Sequence, residues 1–327
     1  MKITICYTTS RMEPMFDWFF DSLISQYSDK NVTDQIIIID SYAEIQSDRL
    51  DNIKEKVNDR FKYIHLPPKP SIWRGKYKKT KGTYFDLSGT RNTGMIVCDT
   101  EYIVYIDDLS VLMPNWLSYH KNAALHKNIL AGSFDKVDNI KFENNKFISC
   151  DRKYMDQREF HQQTDEQINI GGGWLFGANA GYPLEYLIHV NGHDEFYARR
   201  GCEDCNLGIR LENAGFKNKI FYNKNCLVIE DEKLHYVNNN STHIMRRWSL
   251  NDEKYKTQEK YDEKHKICSS MMNVLEKQSL HEKKEILPLN IYFNYTNERK
   301  LFLETMEFRS IENDTFIDFD GETLEDL

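Results

Sequence analysis

The strongest constraint on the fold is an apolar segment that ends abruptly in two carboxylates. Glu101–Leu117 reads EYIVYIDDLSVLMPNWL, and most residues before Asp107 and Asp108 are β-branched or aromatic and lack a helical period. This pattern predicts a strand that is buried on both faces of a sheet. In α/β sheets, ligands bind at the carboxyl ends of such strands. Two adjacent acids there favour a divalent cation shared with a phosphate, although solvated acids at the start of a loop would give the same pattern.

Strand and helix patterns alternate from the start of the chain. Helix patterns follow the first two of three segments that have strand character, residues 3–8, 36–39 and 61–66, and the second of these helices is predicted over residues 51–60. A further helix is predicted over residues 88–97, before the strand that ends in Asp107. The alternation predicts an α/β fold with a mostly parallel central sheet and flanking helices. Residues 135–167 show weak strand-like alternation, and no order of elements follows from them.

The two ends of the chain differ in character. Residues 1–248 carry the α/β pattern and are predicted to form one domain, whereas residues 249–327 are predicted to be a charged, mainly helical C-terminal extension. Within the first region, residues 67–83 form a polar loop whose length is typical of functional loops. This loop contains a basic stretch from Lys69 to Lys81.

Composition narrows the classes of protein to which the chain can belong. Hydrophobic residues make up 40% of the 327 residues, which is enough for a large core and unlike a disordered chain. The net charge of −8 disfavours a nucleic-acid binder, although the basic stretch keeps nucleic acid open. We expect a cytoplasmic protein without a membrane span, because no apolar run approaches about 18 residues and no secretory signal pattern is present. Cys202 and Cys205 form a C-x-x-C pair without a second pair, which favours structural thiols over zinc.

A second dense segment lies at residues 171–217. Three glycines, Gly171 to Gly173, allow the backbone to approach a ligand closely. Trp174 follows them and fits either a ring that stacks on a sugar or base, or a plain core side chain. Glu203 and Asp204 begin an amphipathic helix, whose N-terminus favours carboxylates. By themselves, these two acids fit a capping pair as well as a functional site.

Together these segments resemble the GT-A fold glycosyltransferases, most closely the family 2 type, with a C-terminal motif similar to that of the β-1,4-galactosyltransferases. The resemblance covers about residues 1–248 and rests on the order and spacing of five motifs. These are Thr8 to Arg11 after the first strand; the strand ending in Asp40; Ser88, Arg91, Asn92 and Gly94; Asp107 and Asp108 with Pro114, Trp116 and Leu117; and Asn191, Gly192, Asp194, Glu195, Gly201, Glu203, Asp204, Leu207, Arg210 and Leu211.

The resemblance implies a GT-A, Rossmann-like fold and transfer of a sugar from a nucleotide sugar, expected to carry UDP, to an acceptor hydroxyl with inversion. It implies that Asp204 is the catalytic base and that Glu203 positions the acceptor. Mn²⁺ or Mg²⁺ is expected on Asp108 and Asp107, with His235 as a third ligand and His243 as the second choice. The residues expected to contact the nucleotide sugar are Thr8, Ser10, Arg11, Asp40, Arg91, Asp107 and Trp174.

Three positions depart from the family pattern. At one of them, Cys205 stands where many relatives have another residue. Leu109 stands where the DxD pattern expects a second carboxylate, so Asp108 has to be the metal ligand, and Asp107 has to hold the ribose or the metal's waters. Asn206 replaces the second acid of the E-D-x-D pattern and cannot act as a base, which leaves Asp204 for that role.

Two other functions stay open. A non-catalytic nucleotide-sugar binding protein would bind the donor without turnover, and the change at Leu109 motivates this alternative. A sugar-phosphate nucleotidyltransferase on a similar fold would need a glycine-rich phosphate loop near the first strand, which Thr8 to Arg11 does not provide. The acceptor is open among a glycan, a protein and a modified DNA base, and the sequence predicts no oligomeric state.

Overall fold

The computed structural model describes residues 1–11, 13–28, 34–43, 48–51, 57, 61–66, 87–144, 146–190, 192–193 and 203–237. The predicted C-terminal extension, the loop over residues 67–83 and His243 lie outside these ranges. Most of the helix predicted over residues 51–60 also lies outside them.

Six described helices flank the sheet: α1 (Phe16–Ile24), α2 (Leu87–Val97), α3 (Trp116–Leu125), α4 (Leu184–His189), α5 (Glu203–Leu211) and α6 (Glu232–Val237). Short 3₁₀ helices lie at Gln157–His161, Gly172–Trp174 and Lys217–Lys219, and a π-helical turn lies at Glu212–Phe216. Within the described ranges, no helix is long and apolar enough to cross a membrane.

The described strands are β1 (Thr4–Thr9), β2 (Gln35–Asp40), β3 (Lys62–Leu66), β4 (Tyr102–Asp107), β5 (Ser110–Leu112), β6 (Ile129–Glu143), β7 (Lys146–Tyr154), β8 (Ile168–Asn169), β9 (Asn179–Pro183) and β10 (Ile220–Asp231). They form one sheet in the order β3-β2-β1-β4-β9-β6-β10-β5, with β7 beside β6 and β8 beside β10. The ladder from β3 to β4 is parallel. Beyond it the sheet is mixed, because β9 inserts antiparallel between β4 and β6. The predicted α/β sheet with flanking helices is confirmed.

Alternate side chains of the central strands enter two cores, one on each face of the sheet. Along β1, Ile5 and Tyr7 enter the core covered by α1 and α3, and Cys6 enters the core covered by α2, α4 and α5. Burial on both faces explains why these strands are unbroken apolar runs in the sequence. On the second face, α2 approaches β1 closely at Gly94, where a Cβ would come 2.4 Å from Cys6 Sγ.

The register of the parallel strands brings their polar ends to one edge of the sheet. Thr8 on β1 lies beside Asp107 on β4, and Thr9 lies beside Asp40 on β2. Helix α2 precedes β4 in the chain and reaches the same edge of the sheet, so one of its side chains can extend to this edge. The acids predicted at the ends of separate strands therefore lie at one edge of the sheet.

Candidate functional site

A buried arginine joins the end of β4 to the start of α5. Arg91 on α2 donates from Nη2 to Asp107 Oδ1 at 3.2 Å and from Nη1 to Glu203 Oε1 at 3.0 Å. Burial opposes the charge of Arg91, but neighbouring carboxylates, led by Asp107, outweigh it and raise the pKa of this arginine above its ordinary value. The structure therefore brings together residues from three of the motifs that the sequence singled out.

The same guanidinium packs against the segment that precedes β9. At Gly177, a Cβ would lie 2.5 Å from both terminal nitrogens of Arg91, so a side chain there would displace the guanidinium. The amide nitrogen of Gly177 donates to Asp204 Oδ2 at 2.8 Å, and the Cys205 amide donates to Asp204 Oδ1 at 2.7 Å. Two backbone hydrogen bonds thus fix the half-buried Asp204 carboxylate beside Glu203, which is buried.

Close backbone packing holds this segment against α5. A Cβ at Gly172 would come 2.1 Å from the carbonyl oxygen of Gly208, and a Cβ at Gly208 would come 2.0 Å from the Gly172 carbonyl oxygen. Of the three glycines at residues 171–173, Gly172 therefore has a packing role. Trp174, two residues on, projects into solvent with 45% of its surface exposed, so it is not a core side chain.

Two motifs of the resemblance also meet away from the acids. Asn92 on α2 donates from Nδ2 to the His193 carbonyl at 2.8 Å and accepts the His193 amide at 2.8 Å. Arg210 on α5 donates to the carbonyl oxygens of Val190 and Gly192. These contacts tie the end of α4 and residues 192–193 to both helices. Asn191, Asp194, Glu195 and Gly201 lie outside the described ranges.

Asp108 is held by a cation of the protein itself. Arg11 Nε donates to Asp108 Oδ1 at 2.8 Å, and Thr9 Oγ1 donates to Asp108 Oδ2 at 2.8 Å. Burial raises the pKa of Asp108 above its ordinary value, and Arg11 opposes that rise. Both carboxylate oxygens of Asp108 are therefore engaged, and Leu109 beside it is buried with a left-handed φ of 63°.

This arrangement does not match the predicted metal site, in which Asp108 is the main ligand. Within the described ranges, no group of three or more histidine, cysteine, aspartate or glutamate residues is placed to hold a metal ion. Among the described residues none donates a hydrogen bond to Asp107 Oδ2, and 31% of the Asp107 side chain is exposed. His235 lies in α6, and its side chain is not among those described. The metal ligands named from the sequence stay predictions.

Asp40 lies in a separate buried cluster on the same sheet edge. Its Oδ1 accepts hydrogen bonds from Arg49 Nη1 at 3.2 Å and from the Tyr42 amide at 2.9 Å, and its Oδ2 lies 3.0 Å from His65 Nε2. The Asp40 side chain is fully buried. Ser10 is also buried, in the turn after β1. Of the residues predicted to contact the nucleotide sugar, the structure thus places Thr8, Ser10, Arg11, Asp40, Arg91 and Asp107 at this sheet edge, and Asp107 is the acid among them that reaches solvent. Trp174 lies instead beside His161 and Phe176.

Sequence reasoning missed one acid of this region, Glu230 near the end of β10. Its Oε2 accepts from Lys136 Nζ, whereas its buried Oε1 has no hydrogen-bond partner in the part of the chain described. Burial raises the pKa of Glu230, Lys136 opposes the rise, and the charges of Asp107 and Asp108 add to it. The signal in the sequence is the acidic run Glu230 to Glu232 at the end of a buried strand.

Neither a protein-family model nor a curated protein matches the chain. Among solved structures, GalNAc-T7 with UDP, GalNAc and Mn²⁺ matches with a TM-score of 0.54 and 13% identity, covering 93% of this chain and 57% of that one. TarS 1–349 of S. aureus in complex with UDP matches with a TM-score of 0.46 and 14% identity, covering 71% of this chain and 60% of that one.

The chain therefore spans about three fifths of the length of these two solved proteins. At 13% identity, the match to GalNAc-T7 bears on the fold alone. The chain has a GT-A-like glycosyltransferase fold.

Proposed function

We propose that this protein transfers a sugar from a nucleotide sugar, UDP-linked as the first candidate, to an acceptor hydroxyl with inversion at the anomeric carbon. The observation that carries the proposal is the buried Arg91, which joins Asp107 at the strand ends to Glu203 beside Asp204. A nucleotide bound at the strand ends and an acceptor bound at α5 would meet at this point. The GalNAc-T7 structure of the same fold contains UDP, GalNAc and Mn²⁺, which supports the choice of donor.

In this proposal Asp204 takes the proton of the acceptor hydroxyl. Each of its oxygens accepts one backbone hydrogen bond and keeps a further lone pair for the acceptor. The acceptor oxygen forms a bond to the anomeric carbon, the bond from that carbon to the phosphate oxygen breaks, and the electron pair leaves with the diphosphate. Attack opposite the leaving group inverts the configuration. A positioned carboxylate base contributes about 10²–10⁴-fold to such a step.

Sequence and structure differ on which group neutralises the charge of the leaving diphosphate. The sequence predicts Mn²⁺ or Mg²⁺ on Asp108, but Asp108 is engaged by Arg11. We therefore assign no step to a metal. Arg11 and Arg91 place two guanidinium groups at the strand ends, and each is paired with a carboxylate. Asp107 Oδ2 accepts no hydrogen bond from a described residue and is available to a ribose hydroxyl.

The first test is a screen of nucleotide sugars for release of nucleotide, with Mn²⁺ and with EDTA. Asp204→Asn should lower turnover by about 10²–10⁴-fold while nucleotide binding persists. Asparagine can accept one of the two backbone bonds, so a stability loss of about 1 kcal/mol is also expected and is measured separately by thermal unfolding. Asp165→Asn, which changes an exposed acid, is the matched control. Turnover by Asp204→Asn close to wild type, or a product of retained configuration by NMR, would contradict the assignment.

A nucleotide-sugar binding protein without turnover is the second candidate. The engagement of Asp108 by Arg11 favours it, since Asp108 is the acid left to bind a metal once Leu109 replaces the second carboxylate of the DxD pattern. Thermal stabilisation by a nucleotide sugar, together with no nucleotide release in either the Mn²⁺ or the EDTA arm, would select this alternative.

A further inference from the structure

We infer that a row of aromatic rings beside Asp204 binds an extended, uncharged glycan, so that the acceptor is an oligosaccharide chain. The aromatic ribbon consists of Tyr154, Phe134, Phe176, Trp174 and His161. The inference rests on the proposed function insofar as it names the acceptor, but binding by the ribbon can be tested without a donor.

The rings form one continuous series. Tyr154 stacks on Phe134 at 6.3 Å between centroids, and Phe134 contacts Phe176 edge-on at 6.2 Å. Phe176 then contacts Trp174 at 6.2 Å, and Trp174 contacts His161 at 5.8 Å. Successive spacings of about 6 Å lie within the range of direct aromatic contact, so the ribbon is a single surface.

Much of this surface faces solvent. Trp174 is 45% exposed and Tyr154 is 41% exposed, and Phe160, the neighbour of His161 in the sequence, is 69% exposed. Most exposed apolar side chains of soluble proteins are scattered singly, whereas a contiguous group is typical of a binding site.

A buried ion pair holds the ribbon rigid from below. Arg158 lies 4.5 Å from the centre of the Phe176 ring and donates to the Trp174 carbonyl oxygen at 3.0 Å. Arg158 also pairs with Asp156 at 2.6 Å, and both side chains are buried. Rings fixed before binding lose little conformational entropy on binding, which raises the affinity for a flexible ligand.

The middle of the ribbon lies next to the candidate base. Phe176, the third of the five rings, is followed by Gly177, whose amide donates to Asp204, and the two ends of the ribbon are Tyr154 and His161. A chain that lies along the ribbon therefore passes the segment that holds the Asp204 carboxylate. The ribbon thus extends to both sides of the point where the proposed reaction takes place.

The charges around the ribbon favour an uncharged ligand. Residues 150–166 contain five acids and three bases, a formal net charge of −2. Each base is paired with a carboxylate, Arg152 with Asp135, Lys153 with Asp138 and Arg158 with Asp156. Proteins that bind single-stranded nucleic acid combine aromatic platforms with unpaired cations that follow the phosphates. Pyranose rings need no such cations, because their C–H faces pack on aromatic rings and their hydroxyls face water.

The test is binding of the full chain, without a nucleotide sugar, to an array of neutral oligosaccharides and of single-stranded DNA. We expect retention of one or more neutral oligosaccharides with little dependence on salt. Trp174→Ala and Tyr154→Ala should each weaken that binding about tenfold, and Trp174→Phe should restore most of it. Leu125→Ala, which truncates an exposed apolar side chain on α3 outside the ribbon, is the control and should bind as wild type does.

Three results would overturn the inference: no neutral glycan retained, retention unaffected by both alanine substitutions, or salt-sensitive DNA binding lost in the same variants. The last result would show that the ribbon binds the nucleobases of single-stranded nucleic acid. Thermal unfolding of each variant checks that the fold is intact. Glycan binding without nucleotide release would remove the proposed function and leave the ribbon assignment standing. Nucleotide release without glycan binding would leave the proposed function standing and remove the ribbon assignment.

Discussion

Protonation of one buried histidine should make the fold sensitive to mildly acidic pH. His120 on α3 is fully buried, and its Nε2 lies 3.1 Å from Asn179 Oδ1, which also accepts Trp116 Nε1 at 2.8 Å. His120 Nδ1 has no partner among the described residues, so a second proton would have no acceptor there. Asn179 begins β9, two residues after Gly177, so this cluster anchors the segment that contacts Asp204.

The size of the effect follows from the pKa. Burial lowers the pKa of His120 to about 4, with the Asn179 hydrogen bond opposing the change, whereas an exposed histidine has a pKa of about 6.5. Because the folded-state pKa is lowered, the unfolded chain takes up the proton first, and stability is lost as the pH falls from about 6.5 to about 4. At about 1.4 kcal/mol per pKa unit, His120 alone lowers the free energy of unfolding by about 2 kcal/mol between pH 7 and pH 5, and by about 3 kcal/mol by pH 4.

Urea unfolding at pH 7, 6 and 5 measures this contribution. Between pH 7 and pH 5, His120→Gln should lose about 2 kcal/mol less of its free energy of unfolding than wild type loses. His126→Gln is the matched control, because His126 is exposed at the end of the same helix, and it should follow the wild-type curve. Parallel curves for wild type and His120→Gln would refute the conclusion that a neutral, buried His120 supports this fold.

Two further predictions concern the arginines of the site, with Lys127→Met on the surface as the control for both. Arg91→Met should lower the free energy of unfolding by about 3 kcal/mol, because it removes the guanidinium from the buried Glu203. Chemical denaturation measures this loss, and a value below about 1 kcal/mol would contradict the ion pair. Arg11→Met should strengthen Mn²⁺ binding by at least tenfold, because Asp108 loses the cation that occupies it. Equal Mn²⁺ affinity of variant and wild type by calorimetry would show that Arg11 does not compete with a metal.

The sequence predicted the strands and helices whose residues are buried along most of their length. Strands β1, β2 and β4 were predicted because both of their faces are buried, which leaves unbroken apolar runs. The helix predicted over residues 88–97 is α2, Leu87–Val97. In contrast, residues 135–167 contain the end of β6 and all of β7, a hairpin whose side chains are largely exposed and charged. An exposed hairpin leaves little apolar alternation, so its order could not be read from the pattern.

The candidate site divides in the same way. Asp107, Glu203 and Asp204 lie at the ends of clear strand or helix patterns, so the sequence predicted them as site residues. The partners of the buried acids could not be predicted, because pairing depends on contacts between distant segments. Arg11 and Asp108 are 97 residues apart in sequence, and Lys136 and Glu230 are 94 apart. Nothing local to either residue of such a pair indicates that the acid is already neutralised.

Paired guanidinium groups occur at both ends of the candidate site, and they differ in what they leave available to a ligand. At the strand ends, Arg11 neutralises Asp108, and the exposed Asp107 carboxylate can accept a hydrogen bond from a ribose hydroxyl of a nucleotide. Under the aromatic ribbon, Arg158 pairs with Asp156 and donates to backbone carbonyls, and the exposed surface consists mainly of aromatic rings. A charged leaving group on one side and an uncharged nucleophile on the other is the asymmetry that transfer of a sugar to a glycan hydroxyl requires. Arg91 contacts both Asp107 and Glu203, so in the proposed reaction its side chain would fix the donor end of the site relative to Asp204.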